Sequence, residues 1–577
     1  MASLLCKKQN GILYIYGAVS YRRESDKQPR CKMTCLGKIN KDTNEPIYND
    51  KYQSWMTEHG LSTENALANY MKRNNKTIQI SQKKESNESI IKEDKIKDIS
   101  DESLGSIQLN DIHTGKLYTE NQIKHAQKIF YGSTYLLDCI SEKIGLTKII
   151  NDIFLDDAKR IMSLAYFNVI EHRPSMYCKY FVDNYNTLVN SNDVVSQRIS
   201  ELLNSITEKD KLNFFRTWSD KINDNDYLSL DTTSVSTYST NIIKASYGHN
   251  KQGENLKQVN ICLLFGEESR LPAYTTLYDG ALHDVSTLIS TIKQTSIIQN
   301  KSYKLVLDRG FYSKKNINYL LFSNDKADFL ISVPGTTLLK NELIEEHKYI
   351  FDNIIYAIDI NNDKLFGITK CIKWDKSKNL YAHIYVDPVK NDSSRRKIID
   401  DFNLMYNNAI KEPEKYINDR DYRNMLIFRK SYKSKTGYII KKNQKAYQDM
   451  RSKAGWFILL SNSIKDPTKA IEIYRKRDLV EKCFDILKNF INQKRTKVHN
   501  DIKNENRLFI SFISMVLISY IDNVMKDNNL YKTYTLDELL YELSSIKAIK
   551  IDNYILIDPL TKKVKDIFDS FNFKHPE

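Results

Sequence analysis

The spacing of apolar and polar positions changes period several times along the chain, and each change marks an expected element. Residues 10–40 hold two strand-like runs, GILYIYGAVSY and RCKMTCLGKIN, joined by the charged turn RRESDKQP, which predicts a β hairpin. From roughly Lys72 to Ser106 the chain is rich in Lys, Glu, Ser and Asn and poor in apolar residues, so it reads as a linker. Between about Asn121 and Trp218 apolar residues recur at helical spacing, as in HAQKIFYGSTYLLDCISEKIGL and DVVSQRISELLNSI. In the second run Asp193 stands in a capping position, with Ser196, Gln197 and Arg198 early in the expected helix. A helix-turn-helix would put these three side chains in a DNA major groove; an ordinary bundle helix with a polar face accounts for them equally well.

Beyond residue 226 the period becomes that of strands. YLSLDTTSVS, QVNICLLFG, LPAYTTLYDG, YKLVLDRGF and ADFLISVP all read as strands, with the helical stretch DVSTLISTIKQ before the fourth. Three strands, a helix and another strand is the opening order of a ribonuclease-H-like α/β domain. Pro334 to Gly455 mixes short strand-like runs with charged turns, GWFILLSN reads as a buried strand, and TKAIEIYRKRDLVEKCFDILKNFI predicts one long amphipathic helix. The most apolar stretch, Leu508 to Ile521, contains serines and falls short of the roughly 20 residues that span a bilayer. It is expected to be a buried helix, and no membrane partner is expected.

Composition adds a partner class. Hydrophobic residues at 41% and charged residues at 28% are ordinary for globular proteins and exclude general disorder, and 577 residues are enough for three or four structural units. Lys plus Arg number 87 against 72 acidic residues, a net charge of +15 that permits a polyanionic partner without showing one. The eight cysteines are scattered, and only Cys31 and Cys35 are close, so reduced intracellular thiols are expected rather than a zinc site. The opening MASLLCKKQNG is too short and polar for a signal peptide.

The candidate chemistry rests on carboxylates. Asp231, in LSLDTT, and Asp308, in LVLDRGF, each follow apolar strand residues, where a carboxylate costs free energy unless it has a partner such as a metal ion. An aspartate that merely ends a strand and caps the next turn is the alternative for either one. Tyr474, Arg477, Glu481 and Lys488 lie within an arc of roughly 60° on an ideal helix of 3.6 residues per turn. One face would then carry a carboxylate suited to Mg²⁺ and two cations and a phenol suited to phosphates. The alternative is a solvated face with an Arg477–Glu481 ion pair.

The order DTTSVS, LDRGF and then Tyr-x2-Arg-x3-Glu-x6-Lys resembles the Tyr-Arg-Glu-Lys signature of the insertion sequence four superfamily of DDE transposases. YDGALHD, in which Gly280 precedes Asp284, GWFILLSN, and KVHND with His499 resemble further family segments. The N-terminal SYRRESDKQPRCKMTCLGKIN looks like the opening of the sixteen-thirty-four subgroup. Leu508 and Phe509 stand where many members have a second histidine, which leaves His499 without an assigned role.

The resemblance implies a ribonuclease-H-like core of residues 226–337 and 453–521, interrupted by a mostly β insertion domain over 338–452. It further implies a small N-terminal β region (1–71), a polar linker (72–106), a helical DNA-binding region (107–225) and a C-terminal tail (522–577). Trp374, in the insertion, is expected to be a packed indole rather than a base-stacking one. Function is implied as that of a bacterial insertion-sequence transposase that cuts transposon ends and joins them to target DNA. Asp231, Asp308 and Glu481 would be catalytic and hold two Mg²⁺ ions, with Mn²⁺ as substitute, while Tyr474, Arg477 and Lys488 bind DNA phosphates. The implied partners are double-stranded DNA, as terminal inverted repeats and target, and a second copy of the chain in a homodimer, in a cytoplasmic, nucleoid-associated setting. A nuclease without strand transfer and a catalytically dead DNA-binding relative are the competing readings.

Overall fold

Strand-forming runs close to one another in sequence pair as antiparallel neighbours, and pairings between distant segments decide the architecture. The computed structural model describes residues 2–9, 12–22, 29–39, 46–58, 109–110 and 117–118. From residue 126 onward it describes all but 223–225, 249, 251–252, 299–302, 324–326, 361–362, 492–494, 497 and 552–553. The chain divides into two units, Met1–Gly105 and Ser106–Glu577. The expected linker from Lys72 to Ser106 lies outside the described residues.

In the first unit β1 (Ala2–Gln9), β2 (Ile12–Arg22), β3 (Pro29–Ile39) and β4 (Pro46–Tyr48) form an antiparallel sheet in that order, followed by α1 (Lys51–Glu58). The predicted hairpin is the β2–β3 pair. β1 adds to its open edge although ASLLCKKQ carries little strand pattern, because an edge offers unpaired backbone groups to any neighbouring extended segment. Trp55 of α1 lies over Gly17: its ring comes within 2.5 Å of where a Cβ would stand, so the helix docks only on a glycine.

The second unit opens with the paired short strands Leu109–Asn110 and Leu117–Tyr118 and the strand Gln127–Phe130. Then come helices α2 (Gly132–Lys143), α3 (Leu146–Phe154), α4 (Ala158–Ile170), α5 (Cys178–Asn184), α6 (Ser196–Ser205) and α7 (Glu208–Ser219). Their apolar periods bury Ile161, Phe167, Leu202 and Phe214. Asp193 does not cap α6. It closes a capping box with Asn190 in a preceding 3-10 turn, and α6 starts at Ser196 after Val195.

Next come β5 (Leu228–Thr237), β6 (Gln258–Gly266), β7 (Pro272–Asp279), α8 (Asp284–Ile298), β8 (Tyr303–Leu307), α9 (Lys314–Phe322) and β9 (Ala327–Ser332). β5, β6 and β7 pair antiparallel, whereas β8 runs parallel to both β5 and β9. Residues 338–452 then give α10 (Leu338–Glu346), β10 (Ala357–Ile360), β11 (Asp363–Lys373), β12 (Asn379–Val386) and α11 (Pro388–Lys411). The hairpin of β13 (Leu426–Lys430) and β14 (Tyr438–Lys442) and helix α12 (Gln444–Ser452) complete the segment. β15 (Trp456–Ser461) returns to the sheet, followed by α13 (Pro467–Lys476), α14 (Asp478–Asp485), β16 (Arg495–Thr496) and α15 (Asp501–Asp527).

The sheet has ten strands in the order β7-β6-β5-β8-β9-β15-β12-β11-β10, with β16 beside the far end of β5. This corrects the expected mostly β insertion. Residues 338–452 are mixed, and β10, β11 and β12 extend the central sheet rather than forming a β structure of their own. The physical reason is the edge of β15, which β12 covers antiparallel from Tyr381 to Val386. The longest element of the segment is α11, capped by Asp387 and started by Pro388. Its buried Ile398, Phe402 and Ala409 recur at helical spacing within an otherwise charged run, a weak signal beside the β-branched runs around it.

Helix α15 contains the apolar stretch Leu508–Ile521. By length and composition it could cross a membrane, yet it is mostly buried within the protein, against α4, α6 and β7. It forms the centre of the main core.

Candidate active site

β5 is buried along its whole length although its sequence, LSLDTTSVST, turns polar after Leu230. Strands central to a sheet are covered on both faces, so each buried polar group here needs a partner. Asp231 is 9% exposed, and its Oδ1 accepts the backbone N–H of Thr232 at 2.7 Å. Asp308 reaches the same place by register. Leu307 of β8 stands beside Leu230 of β5 in parallel pairing, so the next residues, Asp308 and Asp231, follow side by side on neighbouring strands about 4.8 Å apart. Asp308 also caps the 3-10 turn Arg309–Phe311 through a 2.7 Å bond from Arg309 N–H. The capping reading of the sequence is therefore true of Asp308, and it coexists with the site.

The predicted long helix is not continuous. Val480 N–H bonds back three residues to Arg477 at 3.1 Å, and a π turn spans Ile486–Phe490. These irregularities tighten and then widen the helix, so the ideal arc does not hold residue by residue. Tyr474, Arg477 and Glu481 nevertheless lie toward Asp231 in β5 and Asp308 just past β8. The Tyr474 hydroxyl donates to Asp308 Oδ1 at 3.4 Å. Arg477 donates from Nη2 to Glu481 Oε1 at 2.7 Å, and its Nη1 lies 3.8 Å from Asp231 Oδ2. Its guanidinium also lies over the Tyr474 ring, 5.8 Å from the centroid. After the π turn Lys488 donates to Thr233 Oγ1 at 2.6 Å, two residues beyond Asp231 on the same face of β5.

Arg477 is the hub. Its side chain is only 12% exposed, whereas that of Glu481 is 54% exposed. Burial works against the guanidinium charge, but Tyr474, Asp308, Asp231 and Glu481 together hold its pKa above the ordinary value. Burial, reinforced by the charge of Asp308, raises the Tyr474 phenol above its usual value, so the ring keeps its proton and acts as a donor. Among the described residues nothing accepts a hydrogen bond from Arg477 Nε, which is buried.

Asp231 and Glu481 thus meet one cation directly, and Asp308 adds its charge nearby and joins the group through Tyr474. Among the described residues no three Asp, Glu, His or Cys side chains stand close enough together to hold a single metal ion. The donor chemistry still suits a hard divalent cation, since carboxylate oxygens are its preferred ligands and the cationic guanidinium shows that the site favours positive charge.

Other candidates lie elsewhere. His499 is exposed in the turn before α15. The Trp374 indole donates to Asn318 Oδ1 at 2.8 Å and packs against the main core, as expected of a packed indole. Gln197 and Arg198 are exposed on α6 and pair with Glu201. Sequence reasoning missed the role of Thr233 as the Lys488 acceptor and the contact between Thr232 and Asp284. The hydroxyl run in DTTSVS was the available signal, because so many hydroxyls in a buried strand require partners.

The model of the family described as "Transposase DDE domain" matches residues 223–517, which include every residue of this site. No curated protein matches the chain. Among solved structures, the cryo-EM structure of piggyBac transposase synaptic complex with hairpin DNA is 10% identical, with 70% of this chain and 69% of that chain covered at a TM-score of 0.32. At that score the likeness carries no argument. The family match spans more than half of the chain and both strand-borne aspartates, and the chain therefore belongs to the DDE transposase family.

Proposed function

We propose that Asp231, Asp308 and Glu481 are the metal-holding carboxylates of an insertion-sequence transposase, and that Tyr474, Arg477 and Lys488 hold the phosphates of its DNA. The observation that carries this reading is the gathering of the three carboxylates around Arg477 and Tyr474: Asp231 and Glu481 pair with the guanidinium, and Asp308 accepts from the phenol. Family membership makes the chain a metal-dependent, DNA-cleaving and strand-transferring enzyme. The order β7-β6-β5-β8-β9, three antiparallel strands followed by two parallel ones, supports a ribonuclease-H-like core.

Hard oxygen donors suit Mg²⁺, with Mn²⁺ as a substitute. Asp231, Asp308 and Glu481 would hold such ions, which would supply activation of a water or 3′-hydroxyl and charge stabilisation for the leaving oxygen. The chain's own residues do the positioning. Arg477, with an Nε that lacks an acceptor, has donor capacity for a phosphate oxygen. Tyr474 donates from its phenol, and Lys488 brings a cation to β5 beyond Asp231. The substrates in this reading are terminal inverted repeats of a bacterial element and its target DNA. The helical region 107–225 binds the ends, and two copies of the chain act on paired ends in the cytoplasm.

Asp231→Asn, Asp308→Asn and Glu481→Gln are each expected to abolish cleavage of a cognate end while end binding in a mobility-shift assay persists. Undiminished nicking by any one of them would remove that residue from the set. Joining of a pre-cut end to target DNA separates a transposase from a plain nuclease, which yields no joined product.

A further inference from the structure

The family match and the carboxylate set leave Asp284 without a role, although it lies beside the segments that carry Asp231 and Asp308. It is the first residue of α8, and its Oδ1 accepts a hydrogen bond from the Thr232 hydroxyl, one residue beyond Asp231. Its other carboxylate oxygen is 3.2 Å from where a Cβ on Gly310 would stand, two residues beyond Asp308. A side chain at residue 310 would sit tightly against that carboxylate and push it back by a few tenths of an ångström.

The surroundings make this contact stiff. Asn316, itself buried, donates to Val285 O and to Phe311 O, both at 2.8 Å, and ties the start of α8 to the turn after Asp308. On the other side Asn260 of β6 donates to Leu282 O at 2.9 Å, and Gln258 donates to Gly280 O at 3.1 Å. The turn carrying Asp284 is thus fixed to β6, and Asp284 in turn touches β5 and the end of β8.

Side chains alternate along a strand, so Thr232 points to the face of β5 opposite to Asp231. Asp284 therefore braces the strand from behind. We propose that Asp284 is a positioning residue, which by accepting from Thr232 while packed on Gly310 sets the spacing of Asp231 and Asp308 and hence the affinity of the site for a divalent cation. The inference rests on the reading of Asp231 and Asp308 as metal carboxylates.

The test uses the full chain and Mn²⁺ alone, with free Mn²⁺ measured by its paramagnetic resonance signal and thermal unfolding followed in parallel. Asp284→Ala and Thr232→Val are each expected to weaken Mn²⁺ binding by about 10- to 100-fold, the usual range for groups that orient metal ligands. The double variant is expected to be no weaker than the worse single one, because both substitutions delete the same contact. Asp284→Asn keeps an acceptor oxygen for Thr232 and should retain most of the affinity. Should Asp284→Ala fail to fold, Thr232→Val, which is nearly isosteric, carries the test. Unchanged affinity in Thr232→Val, or effects of the two substitutions that simply add, would overturn the proposal. Asp231→Asn is the reference: if it binds Mn²⁺ as well as the unaltered protein, the metal reading fails and the inference with it. Loss in Asp231→Asn beside no loss in Thr232→Val defeats the brace alone.

Discussion

Replacing Arg477 by alanine isolates the electrostatic logic of the site. The substitution removes the guanidinium 3.8 Å from Asp231 and leaves a carboxylate that is almost wholly buried. At an effective dielectric constant of about 20, opposite unit charges at that separation attract by about 4 kcal/mol. The bond to Glu481 contributes far less, because that side chain is 54% exposed and exposed pairs give about 0–1 kcal/mol. Breaking one side of a buried pair costs about 3–5 kcal/mol, so the attraction to Asp231 alone already accounts for the loss. With an unfolding entropy of about 2.1 cal/mol/K per residue, a unit as large as Ser106–Glu577 loses roughly 1 °C per kcal/mol. Arg477→Ala in EDTA should therefore melt about 3–5 °C below the unaltered protein. A divalent cation at the same carboxylates supplies the missing charge, so added Mg²⁺ should recover most of that loss and raise the variant's melting point more than the parent's. Differential scanning fluorimetry in EDTA and in Mg²⁺ measures both. Equal melting points in EDTA, or a deficit that Mg²⁺ leaves untouched, would refute the view that Arg477 and a metal ion answer the same buried charge.

Three further outcomes follow from other side chains. Lys488→Ala removes the cation on Thr233 and should weaken DNA binding while lowering the salt dependence of log K by about 0.9 for each phosphate left unneutralised, read from titrations at several salt concentrations. Glu267 is held at a pKa of about 8 against an ordinary 4.5, first by burial and then by Asp226 and Glu268, against the opposing Ser229 hydroxyl bond and Lys476. A carboxyl raised in the folded state stabilises below its unfolded pKa and loses that contribution as pH rises toward 8; Glu267→Gln should therefore gain stability over the parent between about pH 5 and 8 in urea unfolding, and a constant difference across that window would contradict the assignment. Trp374→Phe should cost about 1 kcal/mol by removing the bond to Asn318 and leave DNA affinity unchanged; a large drop in affinity would return Trp374 to the DNA.

Local pattern is what the sequence determined by itself. The strand runs from Tyr227 to Pro334, the buried apolar helix over Leu508–Ile521 and the shared side of Tyr474, Arg477 and Glu481 follow from periods of two and of about 3.6, which each residue's near neighbours set. Asp231 and Asp308 were legible as carboxylates following apolar residues, and their order in the chain carried the family resemblance. Only tertiary structure decided that Leu230 and Leu307 stand in parallel register, which brings the two aspartates side by side, because register depends on backbone pairing between segments far apart in sequence. It alone placed Asp284 behind Asp231 through Thr232, and Lys488 on Thr233 through a π turn that an ideal helix does not contain. It also sent β10, β11 and β12 to the edge beyond β15, where an unpaired strand needs a neighbour whatever its sequence. Residues close in sequence choose their local geometry; which carboxylate meets which cation is settled when distant strands exchange hydrogen bonds and the core closes over them.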